Sequence, residues 1–266
     1  MNGNAAPAKI VVQNIAKTFT QKKHGLKITA IKDLTFTVKE GEYLVIVGKT
    51  GAGKSVFFDC LLGLKEVSSG SLLIDGQPVK QFLKRSYGRI TRIYQEDRLL
   101  PWRTATENAK LGLEILRVPE QEQRARAEHW LRKLGLRGFE HSYANELSGG
   151  MRQRVNIARA FATSPEILLM DEAFGGLDEV TAQRLRRDFI KLAHEEQITF
   201  LMVTHSIEEA IELGNRILIF GAPAHLIGEV RIPPEVAQNP KLARQYHDEI
   251  LSILEAKGGI EVGMEE

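Results

Sequence analysis

Leu34, Phe36 and Val38 alternate with polar neighbours, and Ile10 and Val12 keep the same spacing earlier in the chain. Period two is the mark of a strand with one buried face, so residues 9–47 are expected to be strands. The polar, basic stretch Thr20–Lys27, which carries Gly25, reads as a hairpin loop between two of them. Tyr43–Val47 is different. Its run Tyr-Leu-Val-Ile-Val is continuously apolar, as in a parallel strand covered on both faces. Ile167–Met170, Ile198–Val203 and Arg216–Phe220 share that character, with helical patterns over Glu179–Glu196 and Ser206–Leu213 between them. Strands that alternate with helices imply right-handed crossovers and a parallel core.

From Thr104 to about Ala162 the pattern predicts helices and no strand. Thr104 and Glu107 have capping-box spacing ahead of one helix. Pro119 before Glu120–Leu134, with Gly135 after it, brackets another. The expected organisation is a disordered N-terminus over residues 1–8, an α/β domain over 9–232 and a helical tail over 233–266. A helical subdomain is inserted at about 98–162. The tail offers one short amphipathic helix (Leu242, Tyr246, Ile250, Ile253), read as a surface helix that closes the core.

Composition narrows the class without naming it. At 43% hydrophobic and 26% charged, the 266 residues exclude a disordered, collagen-like or low-complexity protein. Lys and Arg total 36 against 34 Asp and Glu, too even for a nucleic-acid binder that works by bulk charge. The single cysteine, Cys60, excludes an intrachain disulfide framework and a four-cysteine zinc site, and fits a reducing compartment. No apolar stretch approaches the roughly 20 residues that cross a bilayer. The first residues lack the basic-then-apolar layout of a secretory signal. The expectation is a soluble cytosolic protein.

Gly48-Lys49-Thr50-Gly51-Ala52-Gly53-Lys54-Ser55 fits the phosphate-loop pattern between a buried strand and an apolar helix over Val56–Leu64. Glycines let the backbone curl until successive N–H groups point at phosphates, and the helix start adds its positive end. Lys54 would neutralise the β- and γ-phosphates, and Ser55 would offer its hydroxyl to Mg²⁺. Asp171 and Glu172 close the apolar strand Ile167–Met170. Beside a phosphate loop, Asp171 would reach Mg²⁺ through water and Glu172 would act as general base on an attacking water. Alone, the pair is equally a charge pair at a helix start. Leu147-Ser148-Gly149-Gly150-Met151 precedes Arg152-Gln153-Arg154 and an apolar helix, giving a second helix start open to an anion, or only a cap.

With these three stretches in order, residues 9 to about 230 resemble the ATP-binding cassette (ABC) family, whose signature motif is Leu147–Met151. The resemblance implies an α/β P-loop ATPase fold with a mostly parallel core sheet, an antiparallel N-terminal β subdomain and the helical insert. It implies ATP and Mg²⁺, the phosphate-loop residues with Val56 at the nucleotide, and Ser148, Gly149 and Gly150 completing the ATP site of a partner subunit. Gln95 matches the glutamine that links Mg²⁺ and the catalytic water to the membrane partner. Asp178 matches the loop that communicates between the two sites, and His205 the histidine that contacts the γ-phosphate. Phe19 stands as the adenine-stacking aromatic, or as a buried core residue. Ala173 replaces the usual Pro, Met151 the frequent Gln and Val56 the usual Thr. None of the three removes a group that touches phosphate or metal.

Arg98-Leu-Leu-Pro-Trp102 and Asp171-Glu-Ala-Phe-Gly-Gly-Leu-Asp178 are similar to segments of nitrate-, sulfonate- and taurine-type importer ATPases. That branch implies a head-to-tail ATPase dimer, two transmembrane permease subunits and an extracytoplasmic solute-binding protein. It implies a place on the cytoplasmic face of the inner membrane and no nucleic-acid partner. The short tail leaves no room for an added regulatory domain. An exporter or lipid-transport ATPase, or a soluble ABC ATPase, stays open; a P-loop kinase or GTPase leaves Leu147–Met151 unexplained.

Overall fold

The computed structural model describes residues 7–21 and 26–257. In chain order the elements begin β1 (Ala8–Gln21), β2 (Leu26–Lys39), β3 (Tyr43–Gly48), α1 (Lys54–Leu61), β4 (Ser69–Ile74), β5 (Gln77–Pro78) and α2 (Val79–Arg85). They continue with β6 (Ile90–Ile93), α3 (Ala105–Ala109), α4 (Leu111–Ile115), α5 (Glu120–Lys133), α6 (Gly149–Ala162), β7 (Ile167–Asp171) and α7 (Glu179–Glu195). Last come β8 (Thr199–Thr204), α8 (Ile207–Leu213), β9 (Arg216–Gly221), β10 (His225–Arg231) and α9 (Pro240–Lys257). These form two compact units, one of residues up to Arg85 with those from Thr199 onward, the other Ser86–Ile198.

In the first unit, an antiparallel sheet has the order β2-β1-β4-β5. Leu34, Phe36 and Val38 of β2 are buried between exposed neighbours, as the alternation predicts. Ile10, Val12 and Ile15 share the buried face although Ile15 breaks the parity. A register shift between Val12 and Ile15, with Asn14 at φ 47°, is the bulge that returns Ile15 inward. The ladder is longer than expected at both ends. Ala8 pairs with Lys39, so residue 8 is strand; residues 1–6 of the expected disordered N-terminus lie outside the described residues. Thr20 pairs with Lys27 and Gln21 with Leu26, so cross-strand hydrogen bonds claim the flanks of the expected loop. Its remainder, 22–25, lies outside the described residues.

The same unit holds β3 between β8 and β9, parallel to both, with β10 antiparallel to β9. Leu44–Val47 are buried, which is why that strand reads as a continuous apolar run. From α1, Phe57 sits edge-on to Phe36 of β2 (5.5 Å) and to Phe220 of β9 (6.5 Å), pinning the helix to both sheets. Burying one such ring contributes about 2–3 kcal/mol. The tail helix α9 runs 18 residues, longer than the short helix expected, and only Ile250 of it is buried. It packs on α8, β9 and β10 as the expected closing helix.

In the second unit β6 and β7 are parallel, Ile90 opposite Ile167 and Ile93 opposite Met170. Between Thr104 and Ala162 lie the helices α3–α6 and no strand, with one isolated antiparallel bridge between Thr104 and Tyr143. Thr104 Oγ1 accepts from the Glu107 N–H (3.3 Å), and Glu107 Oε2 accepts from the Thr104 N–H (2.7 Å), completing the box. Pro119 is the N-cap of α5, and Gly135 follows it at φ 74°. Trp130 of α5 packs on Phe161 of α6 (4.8 Å), which meets Phe189 of α7 (5.9 Å). Among the described residues no helix is long and apolar enough to cross a membrane.

Candidate functional site

The phosphate-loop segment turns between β3 and α1, wholly inside the first unit. Gly51 and Gly53 both stand at φ 82°, a left-handed conformation that suits glycine. At Gly53 space adds a second requirement, because a Cβ would lie 2.2 Å from the Ala30 carbonyl oxygen. Lys54 is buried, and its ammonium donates to the carbonyls of Gly48 (2.5 Å) and Lys49 (3.0 Å). Its charge is thereby held on the loop itself. Lys49, Thr50, Gly51 and Ser55 are exposed, Gly53 and Val56 half-buried, Gly48 and Ala52 buried. The result is a curled backbone with a fixed cation at a helix start, which matches an oligophosphate in charge and shape.

His205 and Phe19 belong to the same unit. His205 is exposed, directly after β8. Ser206 and Glu209 have capping-box spacing, and the box forms by a detour. Ser206 Oγ accepts from the Glu209 N–H (3.1 Å), but the Ser206 N–H donates to Thr204 Oγ1 (3.1 Å), whose hydroxyl donates to Glu209 Oε2 (2.7 Å). Thr204 thus relays the returning arm, stiffening the turn that carries His205. Phe19 is half-buried on β1 with the Lys17 ammonium 5.1 Å from its ring centre, so it is no core residue.

The second unit holds the carboxylates and the signature segment. Asp171 ends β7, and its carboxylate takes an ion pair from Arg92 of β6. Glu172 follows at φ 46°, unusual for a residue with a side chain, and its carbonyl accepts from the Gly175 N–H (3.0 Å). A Cβ on Gly175 would lie 3.5 Å from Gln95 Nε2, so the exposed Gln95 stands against the segment that follows Glu172.

Ser148 is the N-cap of α6 and accepts from the Met151 N–H (3.3 Å); Asp178 is the N-cap of α7 and accepts from the Thr181 N–H (3.0 Å). That backbone donor holds the Asp178 carboxyl below its usual range. The two helix starts abut, since a Cβ on Gly150 would lie 2.7 Å from Thr181 Cγ2 and one on Gly149 3.6 Å from Leu177 Cδ2. The predicted signature and Asp178 are therefore neighbours. Ser148 and Asp178 are exposed, with Gly149 and Gly150 half-buried.

Ser55, Asp171 and Gln95 offer hydroxyl, carboxylate and amide oxygens, the donor types a hard cation takes. No cluster of three or more His, Cys, Asp and Glu occurs among the described residues.

Residues 31–175 match the ABC transporter family. The chain belongs to that family. It is 36% identical to the glycine betaine/proline betaine transport system ATP-binding protein ProV of Escherichia coli, over 87% of this chain and 58% of that one. The chain thus spans little more than half the length of that relative. The nitrate import ATP-binding protein NrtD of Synechococcus elongatus is 35% identical over 90% of this chain and 89% of its own. A dimeric ATP-binding cassette solved with ADP and Pi, in a post-hydrolysis state, superposes with a TM-score of 0.74. It is 31% identical and covers 84% of this chain and 99% of its own. By family the chain is an ATP-binding cassette ATPase, and the mixed parallel and antiparallel sheets are those of the fold.

Several supporting residues escape sequence reasoning. Ala30 and Ala224 wall the loop at Gly53, linked by the Ala224 N–H donating to the Ala30 carbonyl (2.9 Å). Arg152 Nε donates to Asp97 Oδ2 (2.9 Å), and Arg159 donates to the carbonyls of Asp97 (2.7 Å) and Arg98 (3.0 Å), tying α6 to the segment before Trp102. Gln153, buried in α6, donates to the Ala173 carbonyl, so the residue in place of the family's Pro still has a backbone role. No local signal marks these contacts, which join residues 20 to about 200 positions apart.

Proposed function

We propose that this chain is the ATP-hydrolysing subunit of an ABC importer for a small anionic solute of the nitrate, sulfonate or taurine kind. The observation that carries the reading is the set of phosphate, carboxylate and signature residues in a chain that matches a nitrate import protein along nine-tenths of its length.

Each expected residue then has a part. Gly48–Val56 wrap the phosphates with backbone N–H groups, and Lys54 trades its loop carbonyls for phosphate oxygens. Mg²⁺, when bound with the nucleotide, neutralises phosphate charge; Ser55, Asp171 and Gln95 are the residues that face it. Phe19 stacks on adenine, and His205 donates to the γ-phosphate. Glu172 takes a proton from the attacking water. Ser148, Gly149 and Gly150 present the α6 start to the nucleotide on a second copy, with Asp178 beside them at that interface. Two copies close head-to-tail over two ATP molecules and part after hydrolysis.

The helical residues 98–162 carry that motion to two permease subunits. Trp102, 70% exposed in the Arg98–Trp102 segment, is the docking anchor. Docking places the chain at the cytoplasmic face of the inner membrane, with an extracytoplasmic binding protein selecting the solute and no nucleic acid involved. Reconstituting the chain in vesicles with the membrane subunits encoded beside it tests the reading. ATP-dependent solute accumulation on the side of the ATPase is expected. ATP-driven movement the other way, or no co-purifying membrane subunit, would replace it with an exporter or a soluble ATPase.

A further inference from the structure

The carboxylate given to the cation in the reading above already has a cationic partner. Arg92 rises from β6 with its side chain 7% exposed and forms an ion pair with Asp171, itself 17% exposed at the end of the neighbouring β7. Its guanidinium lies 4.6 Å from the ring centre of Tyr94, and Arg98 stacks on the same ring at 3.8 Å. The guanidinium is therefore held in place by burial and a ring face, not left to wander as a surface arginine would. A carboxylate so paired has one oxygen engaged and part of its charge neutralised, so a divalent cation drawn to it must share it.

We propose that Arg92 is a positioning residue for the nucleotide's divalent cation: held against Asp171 and stacked on Tyr94, it weakens that carboxylate and sets the Mg²⁺ concentration this chain needs. The proposal rests on the reading of Asp171 as the cation-facing carboxylate. Removing the positive charge leaves more of the Asp171 charge to the cation. A single charge at contact distance shifts such equilibria by about tenfold.

The test is binding of a fluorescent ATP analogue to the full chain, first in EDTA and then along a MgCl₂ titration. Arg92→Met and Arg92→Gln are expected to bind in EDTA as the parent does and to reach half-saturation at about tenfold lower Mg²⁺. Arg92→Lys, which keeps the charge, is expected to stay near the parent. An unchanged or raised Mg²⁺ requirement in the neutral variants overturns the proposal, as does a lysine variant that behaves like them. Should the Met variant fail to bind in EDTA, the Gln variant alone decides by the same criterion. Asp171→Asn separates the two levels. If it leaves the Mg²⁺ requirement at the parent value, the reading of Asp171 falls. If it changes the requirement and the Arg92 variants do not, only the Arg92 proposal falls.

Discussion

Gly150→Ala is a small change with a signed, structure-specific consequence. The new methyl carbon would lie 2.7 Å from Thr181 Cγ2, where ordinary contact begins near 3.4 Å. Thr181 is the third residue of α7 and β-branched, so its methyl has little room to yield. Overpacking of this kind costs about 1–3 kcal/mol. Against it, Ala replaces Gly within a helix, a gain of about 0.5–1 kcal/mol. The difference is a net loss of about 0.5–2 kcal/mol, or roughly 1–8 °C in thermal midpoint for a chain of this size. Thr181→Ala removes the obstructing methyl while the backbone N–H of residue 181 still serves the Asp178 cap. In that background Gly150→Ala should turn mildly stabilising, by about 0.5–1 kcal/mol. Differential scanning calorimetry of the four proteins in the cycle reads both signs. A stabilising Gly150→Ala in the parent, or an equal loss with Thr181→Ala, would show that the α6 and α7 starts are not packed as described.

Gly53→Ala should be far more severe, because it meets backbone at Ala30 and an unfavourable φ together; loss of nucleotide binding with a clear fall in thermal midpoint is expected. Burial pushes the Cys60 thiol up to about 11, so native protein at pH 8 should react with a thiol reagent orders of magnitude more slowly than denatured protein. Fast native labelling would contradict the packing of α1. Trp102→Ala should change stability by less than about 0.5 kcal/mol while abolishing the response of ATPase turnover to added permease subunits.

How much of this was legible depended on whether the signal was local. The strand β3 was readable because both its faces are buried, and the loop after it because glycine spacing and a following Lys-Ser leave few alternatives. The Thr104 cap and the α5 boundaries were readable for the same reason, each being settled within four residues. The segment from Ser69 to Arg85 gave no such sign. In β4 only Leu72 and Ile74 are buried, and that strand exists by pairing with β1, about sixty residues earlier. Likewise β10 is mostly half-buried and leans on β9. At Ser206 the spacing foretells a direct box, yet only the arm onto Ser206 Oγ is direct; in the returning arm the Thr204 hydroxyl accepts from the Ser206 N–H and donates to Glu209 Oε2. Among site residues, the motifs named Asp171 but nothing near Arg92 in sequence points to a partner 79 positions away. Single-residue chemistry was readable, and second partners were not.

The central claim is that the α6 start of one copy completes the nucleotide site of another. Light scattering of Glu172→Gln with Mg²⁺ and ATP, compared with the same protein carrying Ser148→Arg, tests it most directly. Glu172→Gln slows turnover by about 10²–10⁴, so closed dimers should accumulate and be seen as a doubled mass. The added Ser148→Arg should return the mass to that of a monomer while nucleotide binding to the single copy persists. A doubled mass that survives Ser148→Arg would contradict the account.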